Sequence, residues 1–171
     1  FFAGIGGFRV VATKYNYECV AFSEINKQAI SYYLQNFKDK NKEVALGSII
    51  DIEEDSINKK IDLITAGVPC QSWSIAGKNG GFNDDRGQLW FHTFRMLDIF
   101  KPNKFIFENV KGLHDPRNKD ALNTIKEEII KRNYFFEILM LNANDYGSVQ
   151  IRKRIFIIGF KNEKDLIKFK T

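Results

Sequence analysis

The chain has 171 residues, 44% of them hydrophobic and 27% charged, with a formal net charge of +5. This is an ordinary soluble composition, in a chain large enough to bury one core. No apolar run approaches the about 20 residues of a membrane-spanning helix, no signal peptide is visible, and 2 cysteines make no disulfide framework.

Neither a CxxC nor an HExxH pattern occurs, and the only histidines are His92 and His114, so no metal site is expected. A reducing cytoplasm is the expected compartment. The basic residues gather late, in "QIRKRIF" and "KNEKDLIKFK". That permits a polyanionic partner and equally fits a solvated face. The 16 phenylalanines point to an aromatic core.

In chain order, "FFAGIGG" reads as the tail of a strand entering a glycine turn, and "FRVVATKY" as a helix. "YECVAFSE" reads as a strand ending in an acid. "NKQAISYYLQNF" carries Ala29, Ile30, Tyr33, Leu34 and Phe37 at helical spacing. "EVALGSI" is a short strand and turn, and "KIDLITA" a buried strand. "GQLWFHTFRMLDIF" is a helix that stops before Pro102. "KFIFENV" is a strand, "KDALNTIKEEIIKR" a helix, and "YFFEILMLNA" and "RIFIIGF" are two late strands. Strands alternating with helices predict an α/β domain: a Rossmann-like, doubly wound, mostly parallel sheet. The two late strands, with no helix between them, predict an antiparallel pair at one edge.

In open α/β sheets the chemistry gathers at the carboxyl ends of the strands. Gly4 to Gly7, Glu24, Ser48, Cys70 and Glu108 all fall there. The glycines let the backbone turn tightly and approach a ligand. Glu24, closing the next strand, can accept hydrogen bonds from ribose hydroxyls. The spacing is GxGG rather than GxGxxG, which suits an adenosine ligand without phosphates. A purely structural turn followed by a surface acid is the alternative.

Cys70 stands in "GVPCQSWSIAGK" between Pro69, whose ring fixes its own φ, and the polar Gln71. A lone cysteine is often a small buried hydrophobe. A long polar loop follows this one, which argues for an accessible thiol. Glu108 ends an apolar strand, where desolvation favours the protonated form that a general acid needs. The alternative is an acid bonded to backbone amides. Arg152 and Arg154 share one side of an extended segment and could hold a phosphate or a carbonyl. They could equally protect an edge strand.

Taken together, "FAGIGGFR", "PCQSWSIAGK", "DDRGQLWF", "ENVKGL" and "NANDYGSVQIRKRIFIIGF" stand in the order of one family. The chain resembles the DNA cytosine-5 methyltransferases of bacterial restriction–modification systems over essentially all 171 residues. The resemblance implies the fold of S-adenosylmethionine-dependent methyltransferases. It implies methyl transfer from S-adenosylmethionine to carbon 5 of a flipped cytosine in double-stranded DNA. Cys70 would be the covalent nucleophile on carbon 6, and Glu108 the acid at ring nitrogen 3. Arg152 would contact the cytosine carbonyl, and Arg154 would support it. Asn109 and Val110 would hold Glu108 in position. The resemblance places Phe2, Ile5, Gly7, Glu24, Ile25, Ser48, Ile49, Gly67, Pro69 and Leu89 at the cofactor site. It places Gln71, Ser74 and Lys78 on a loop against DNA. It implies a bacterial cytoplasmic enzyme, without metal or membrane, partnered by a cognate restriction endonuclease.

Three departures from the family pattern stand out. Ser48 replaces the usual Asp, Val149 replaces a common Pro, and the sequence-reading domain and last family motif do not occur before Thr171. Residues 1–171 are therefore expected to be a cofactor-binding and catalytic domain truncated at both ends, without its target-recognition domain. Alternative functions are an RNA cytosine methyltransferase and a non-catalytic remnant that binds cofactor or a partner. A nicotinamide-dependent oxidoreductase would leave "PCQ" and "ENV" without a purpose.

Overall fold

Strand and helix limits follow the apolar pattern of the chain. The computed structural model describes residues 1–37, 43–69 and 85–171. In order these form α1 (Gly7–Lys14), β1 (Ala21–Phe22), α2 (Lys27–Asn36), β2 (Val44–Ala45) and β3 (Leu63–Gly67). There follow α3 (Asp85–Phe100), β4 (Lys104–Val110), α4 (Lys119–Lys131), β5 (Phe135–Asn142), β6 (Lys153–Phe160) and α5 (Glu163–Lys170).

Local chemistry sets several boundaries. The Asn26 side chain accepts a hydrogen bond from the Ala29 N–H and so starts α2. Asn162 does the same for α5 through the Lys164 N–H. Helix α3 ends as expected. Lys101 takes a left-handed φ of 44°, and Pro102 follows, whose ring disfavours continued helical backbone at the preceding residue.

The strands form two groups. β1 and β2 pair in parallel, and a four-stranded sheet has the order β3-β4-β6-β5. β3 and β4 are parallel, whereas β6 runs antiparallel to both β4 and β5. The antiparallel pair expected at one edge is thus present, with β5 outermost. Residues 1–3 tie the groups together. The Gly67 N–H donates to the Phe1 carbonyl at 3.3 Å, and the Ala3 N–H to the Ser23 carbonyl at 3.0 Å.

One face of the larger sheet carries the core. Phe105 and Phe107 of β4 are fully buried with Trp90 and Phe94 of α3, Ile125 and Ile129 of α4, and Ile155 and Ile157 of β6. The Phe105 and Phe107 rings stack at 4.3 Å between centroids, and Trp90 meets Phe107 edge-on at 6.0 Å. Gly159 lies opposite Phe105 in the register. A Cβ at Gly159 would stand 2.0 Å from the Phe105 ring, so glycine is what lets that ring lie across β6. With odd-numbered residues of β4 facing the core, Ile106, Glu108 and Val110 are left half-buried on the opposite face. No helix among the described residues is long and apolar enough to cross a membrane.

Candidate active site

The carboxyl ends of β3 and β4 meet at Gly67 and Glu108, which are direct neighbours in the parallel register. A Cβ on Gly67 would lie 3.8 Å from Glu108 Oε2 and 3.7 Å from the Phe2 carbonyl oxygen. The Glu108 carboxylate thus lies against the Gly67 backbone and beside the N-terminal turn. Phe2, half-buried, holds a left-handed φ of 52°. A phenylalanine in that region carries about 1–3 kcal/mol of strain, a cost that clusters at functional sites.

Glu108 has its side chain 22% exposed and faces two guanidiniums. Arg154 Nε approaches Glu108 Oε1 at 2.8 Å, and Arg152 Nη2 stands at 3.9 Å from the same oxygen. The register explains the pair: Arg154 sits opposite Val110 on β6, next to the strand end. Arg152, just before β6, is the more exposed of the two at 49% against 23%. Outside this pair, Lys111, Lys153 and Gln150 help line a hollow of about 440 Å³. The expected grouping of Glu108 with both arginines is thus present, and Glu108 stands as an ion pair rather than as an acid in an apolar setting.

Asn109 is buried, and its Nδ2 donates to the Val68 carbonyl at 3.2 Å. It therefore anchors the segment that leads through Pro69 towards Cys70, rather than Glu108 itself. Cys70, Gln71, Ser74 and Lys78 lie outside the described residues.

A second carboxylate organises the N-terminal turn. Glu24 Oε2 accepts from the Gly4 N–H at 2.8 Å, and Oε1 accepts from the Ile25 and Asn26 N–H groups, each at 2.9 Å. A carboxylate offers about four lone-pair positions, so one on Oε2 is left for a ligand hydroxyl. Ile5 and Ile25 beside it are 58% and 74% exposed, an apolar surface that a ligand could cover. Gly7 opens α1. The turn needs glycine at Gly6, where φ is 95° and a Cβ would meet the Phe37 ring at 2.2 Å.

The Ser48–Ile49 segment is built differently. Ser48 Oγ accepts from the Ile50 N–H at 3.2 Å and caps a single 3-10 turn over Ile49–Asp51. The Ile49 side chain, expected at the cofactor site, is packed in the core at 3% exposure. Leu89 is half-buried against the same core. Arg95, which the sequence reading passed over, reaches this turn from α3 with hydrogen bonds to the carbonyls of Ile49, Ile50 and Ile52. A charged residue inside the apolar run "LWFHTFRMLDIF" was its one visible signal.

The described cysteine is Cys19. Cys19 lies 3.6 Å from the Tyr33 hydroxyl and 3.5 Å from the Ala21 carbonyl oxygen. Burial pushes its pKa up, which disfavours the thiolate. It lines a cleft of about 500 Å³ that runs between β1 and β3, away from the arginine pair. No cluster suited to a metal ion occurs among the described residues.

Comparison with known proteins places this geometry. The model of the family described as C-5 cytosine-specific DNA methylase matches residues 1–171. The chain is 46% identical over 162 residues to the type II methyltransferase M.HgiCII of Herpetosiphon aurantiacus, covering 95% of this chain and 36% of that protein. It is 38% identical over 168 residues to the type II methyltransferase M.HhaI of Haemophilus parahaemolyticus, covering 98% and 50%. Among solved structures, a DNMT2 variant of Spodoptera frugiperda superposes with a TM-score of 0.75 at 25% identity, over 94% of this chain and 48% of that one. The Entamoeba histolytica methyltransferase EhMeth gives 0.73 at 24% identity, over 95% and 52%, and shows the shared fold. The chain spans between about a third and a half of the length of these curated relatives.

Proposed function

Because the chain belongs to the C-5 cytosine-specific DNA methylase family, we propose that it forms the cofactor-binding and catalytic part of an enzyme that methylates carbon 5 of cytosine in duplex DNA. Residues 1–171 act in this reading as one unit. The type II names of its relatives suggest a place beside a cognate restriction endonuclease.

S-adenosylmethionine supplies an electrophilic methyl group when bound. The residues present suit it. Glu24 keeps an acceptor position for a ribose hydroxyl, Ile5 and Ile25 offer uncovered apolar surface, and Phe2 and Gly67 bring the cofactor side of the crevice against Glu108. Ser48, the Ile49 main chain, Pro69 and Leu89 would complete that side.

Carbon 5 of cytosine is a weak nucleophile while the ring is aromatic. A covalent partner on carbon 6 removes that obstacle, which is the usual gain from nucleophilic catalysis. Cys70 is that partner: its thiolate adds to carbon 6 and pushes electron density to carbon 5. Glu108 holds a proton at ring nitrogen 3 as the charge develops. Arg154 fixes the Glu108 carboxylate, and the more exposed Arg152 reaches the cytosine carbonyl. Loss of the carbon 5 proton and departure of the thiol restore the ring. The target base lies inside the duplex, so it must be flipped out to meet these groups. Lys111 and Lys153 offer the DNA backbone positive charge at the rim of the site, with Gln71, Ser74 and Lys78 on the loop that follows Cys70.

The observation that carries this reading is the contact at the two strand ends. Glu108, braced by Arg154, abuts Gly67 on the strand that leads to Cys70. The test is a trapping experiment on the intact protein. Duplex DNA containing 5-fluorocytosine, with S-adenosylmethionine, should leave protein and DNA covalently joined, and Cys70→Ser should abolish the adduct. An adduct that survives Cys70→Ser rejects the nucleophile. An adduct only with the matching RNA rejects the substrate.

A further inference from the structure

Arg95 is a guanidinium spent on main-chain carbonyls. Its Nη1 donates to the Ile52 carbonyl at 2.6 Å, and its Nη2 to those of Ile49 and Ile50 at 2.9 and 2.8 Å. Among the described residues, every hydrogen bond it makes goes to this one turn. Its Nε is buried without a partner. Burying part of an arginine is costly, and core packing alone would be served by an apolar side chain.

Beyond Arg95, the turn is held by the buried Ser23, whose Oγ donates to the Gly47 carbonyl at 2.7 Å, and by the Asp51 N–H, which donates to the Ser48 carbonyl at 3.2 Å. β2 ends at Ala45, Gly47 is in the left-handed region at φ 66°, and Ser48 caps the turn through one bond of 3.2 Å. Ile49 and Ile52 are anchored in the core, while Ile50 is 52% exposed. The two anchors fix where the turn sits, and the guanidinium fixes which way its peptide planes face.

We propose that Arg95 is a positioning residue for the cofactor. It locks the Ser48–Ile52 turn so that Ser48 and the Ile49 backbone meet the adenine end of S-adenosylmethionine. This rests on the cofactor reading above and adds to it a residue from α3 outside the expected contact set. The bound adenine then gains affinity from a turn that is already ordered, since a loop frozen on binding would weaken it.

The test compares wild type, Arg95→Met and Arg95→Lys in the intact protein. S-adenosylhomocysteine binding is measured by calorimetry, KM and kcat by methyl transfer, and the Ile50 and Asp51 amides by hydrogen exchange. Arg95→Met should weaken S-adenosylhomocysteine and raise the cofactor KM by roughly tenfold, the scale of one lost charge-assisted contact. The kcat and the affinity for DNA should hold, and the two amides should exchange faster. Arg95→Lys, which keeps a charged donor, should fall between. Unchanged affinity in either folded variant, or parallel losses in kcat and DNA affinity, overturns the proposal. Should Arg95→Met not fold, Arg95→Lys decides alone. A wild type that ignores S-adenosylhomocysteine removes the cofactor reading, and Arg95's role with it. A wild type that binds it, matched by both variants, removes only Arg95.

Discussion

Glu24 and Glu108 are the same residue type near the carboxyl ends of two strands, yet their surroundings differ in kind. Glu24 is held by three neutral peptide N–H groups, two from the residues that follow it and one from Gly4 in the N-terminal glycine turn. Glu108 is faced by the guanidiniums of Arg152 and Arg154, which arrive from a strand far along the chain. The first arrangement makes a fixed acceptor suited to hydroxyls. The second makes a carboxylate coupled to positive charge, suited to a ring whose protonation changes during reaction. Position in the fold brings each acid to the crevice, and its donors decide what it can do there.

The largest effect should separate the two acids by reaction step. Glu108→Gln keeps the shape but removes the carboxyl group's ability to be ionised against Arg154 and to exchange a proton with the ring. Single-turnover methylation should slow by about 10²–10⁴-fold, the usual range for a general acid or base. Calorimetry should find S-adenosylhomocysteine binding unchanged. A parallel loss of cofactor affinity would erase the distinction drawn here.

Glu24→Gln should show the converse, and less strongly. Glu24 uses both oxygens as acceptors, whereas a glutamine amide has one. Whichever way the amide turns, its NH2 meets at least one backbone N–H from Gly4, Ile25 or Asn26. Charge-assisted hydrogen bonds contribute roughly 1.5–3 kcal/mol, so S-adenosylhomocysteine affinity should fall by about tenfold or more. At saturating cofactor kcat should stay at the wild-type value. A kcat loss that saturation does not restore would make Glu24 part of the chemistry.

Much of this was legible in the sequence, and the missing parts share a cause. β3, β4 and β6 announce themselves as apolar runs, and Pro102 marks the end of α3. The runs "YECVAFSE" and "EVALGSI" promise more strand than forms. Only Ala21–Phe22 and Val44–Ala45 pair, and Val44 and Ala45 remain exposed. Which late strand docks on β4 depends on Gly159 yielding space to Phe105, a fit between distant residues. Arg95 and the donors around Glu24 work through the main chain, and carbonyls and N–H groups are alike in every residue. Asn109 was read as a brace for Glu108, but it reaches the Val68 carbonyl, again a main-chain partner. Glu108, Arg152 and Arg154 stood out as charged residues in "ENV" and "QIRKR", though not as partners of one another; side chains that pair with backbone leave much less.

Asp115 extends the comparison to a carboxylate that has both kinds of donor and no crevice. Arg117 Nε and Nη2 donate to its two oxygens at 2.7 and 3.0 Å, and the Arg117 N–H to Oδ1 at 3.1 Å. The arginine holds the carboxyl down at about 2, below the usual carboxylate range. A pKa lowered in the fold gives stability that is present above the unfolded value, near 3.9, and is lost as pH falls through about 2. The urea midpoint of wild type should therefore exceed that of Asp115→Asn slightly at pH 6, and the gap should close towards pH 2. The effect is small because the pair is open to solvent. A gap that persists at pH 2 would mean that the Asp115 charge is not what its donors recognise. Charge recognition would then be in doubt for Glu108 as well, whose tie to Arg154 is of the same chemical kind and differs chiefly in lying against Gly67 at the mouth of the crevice.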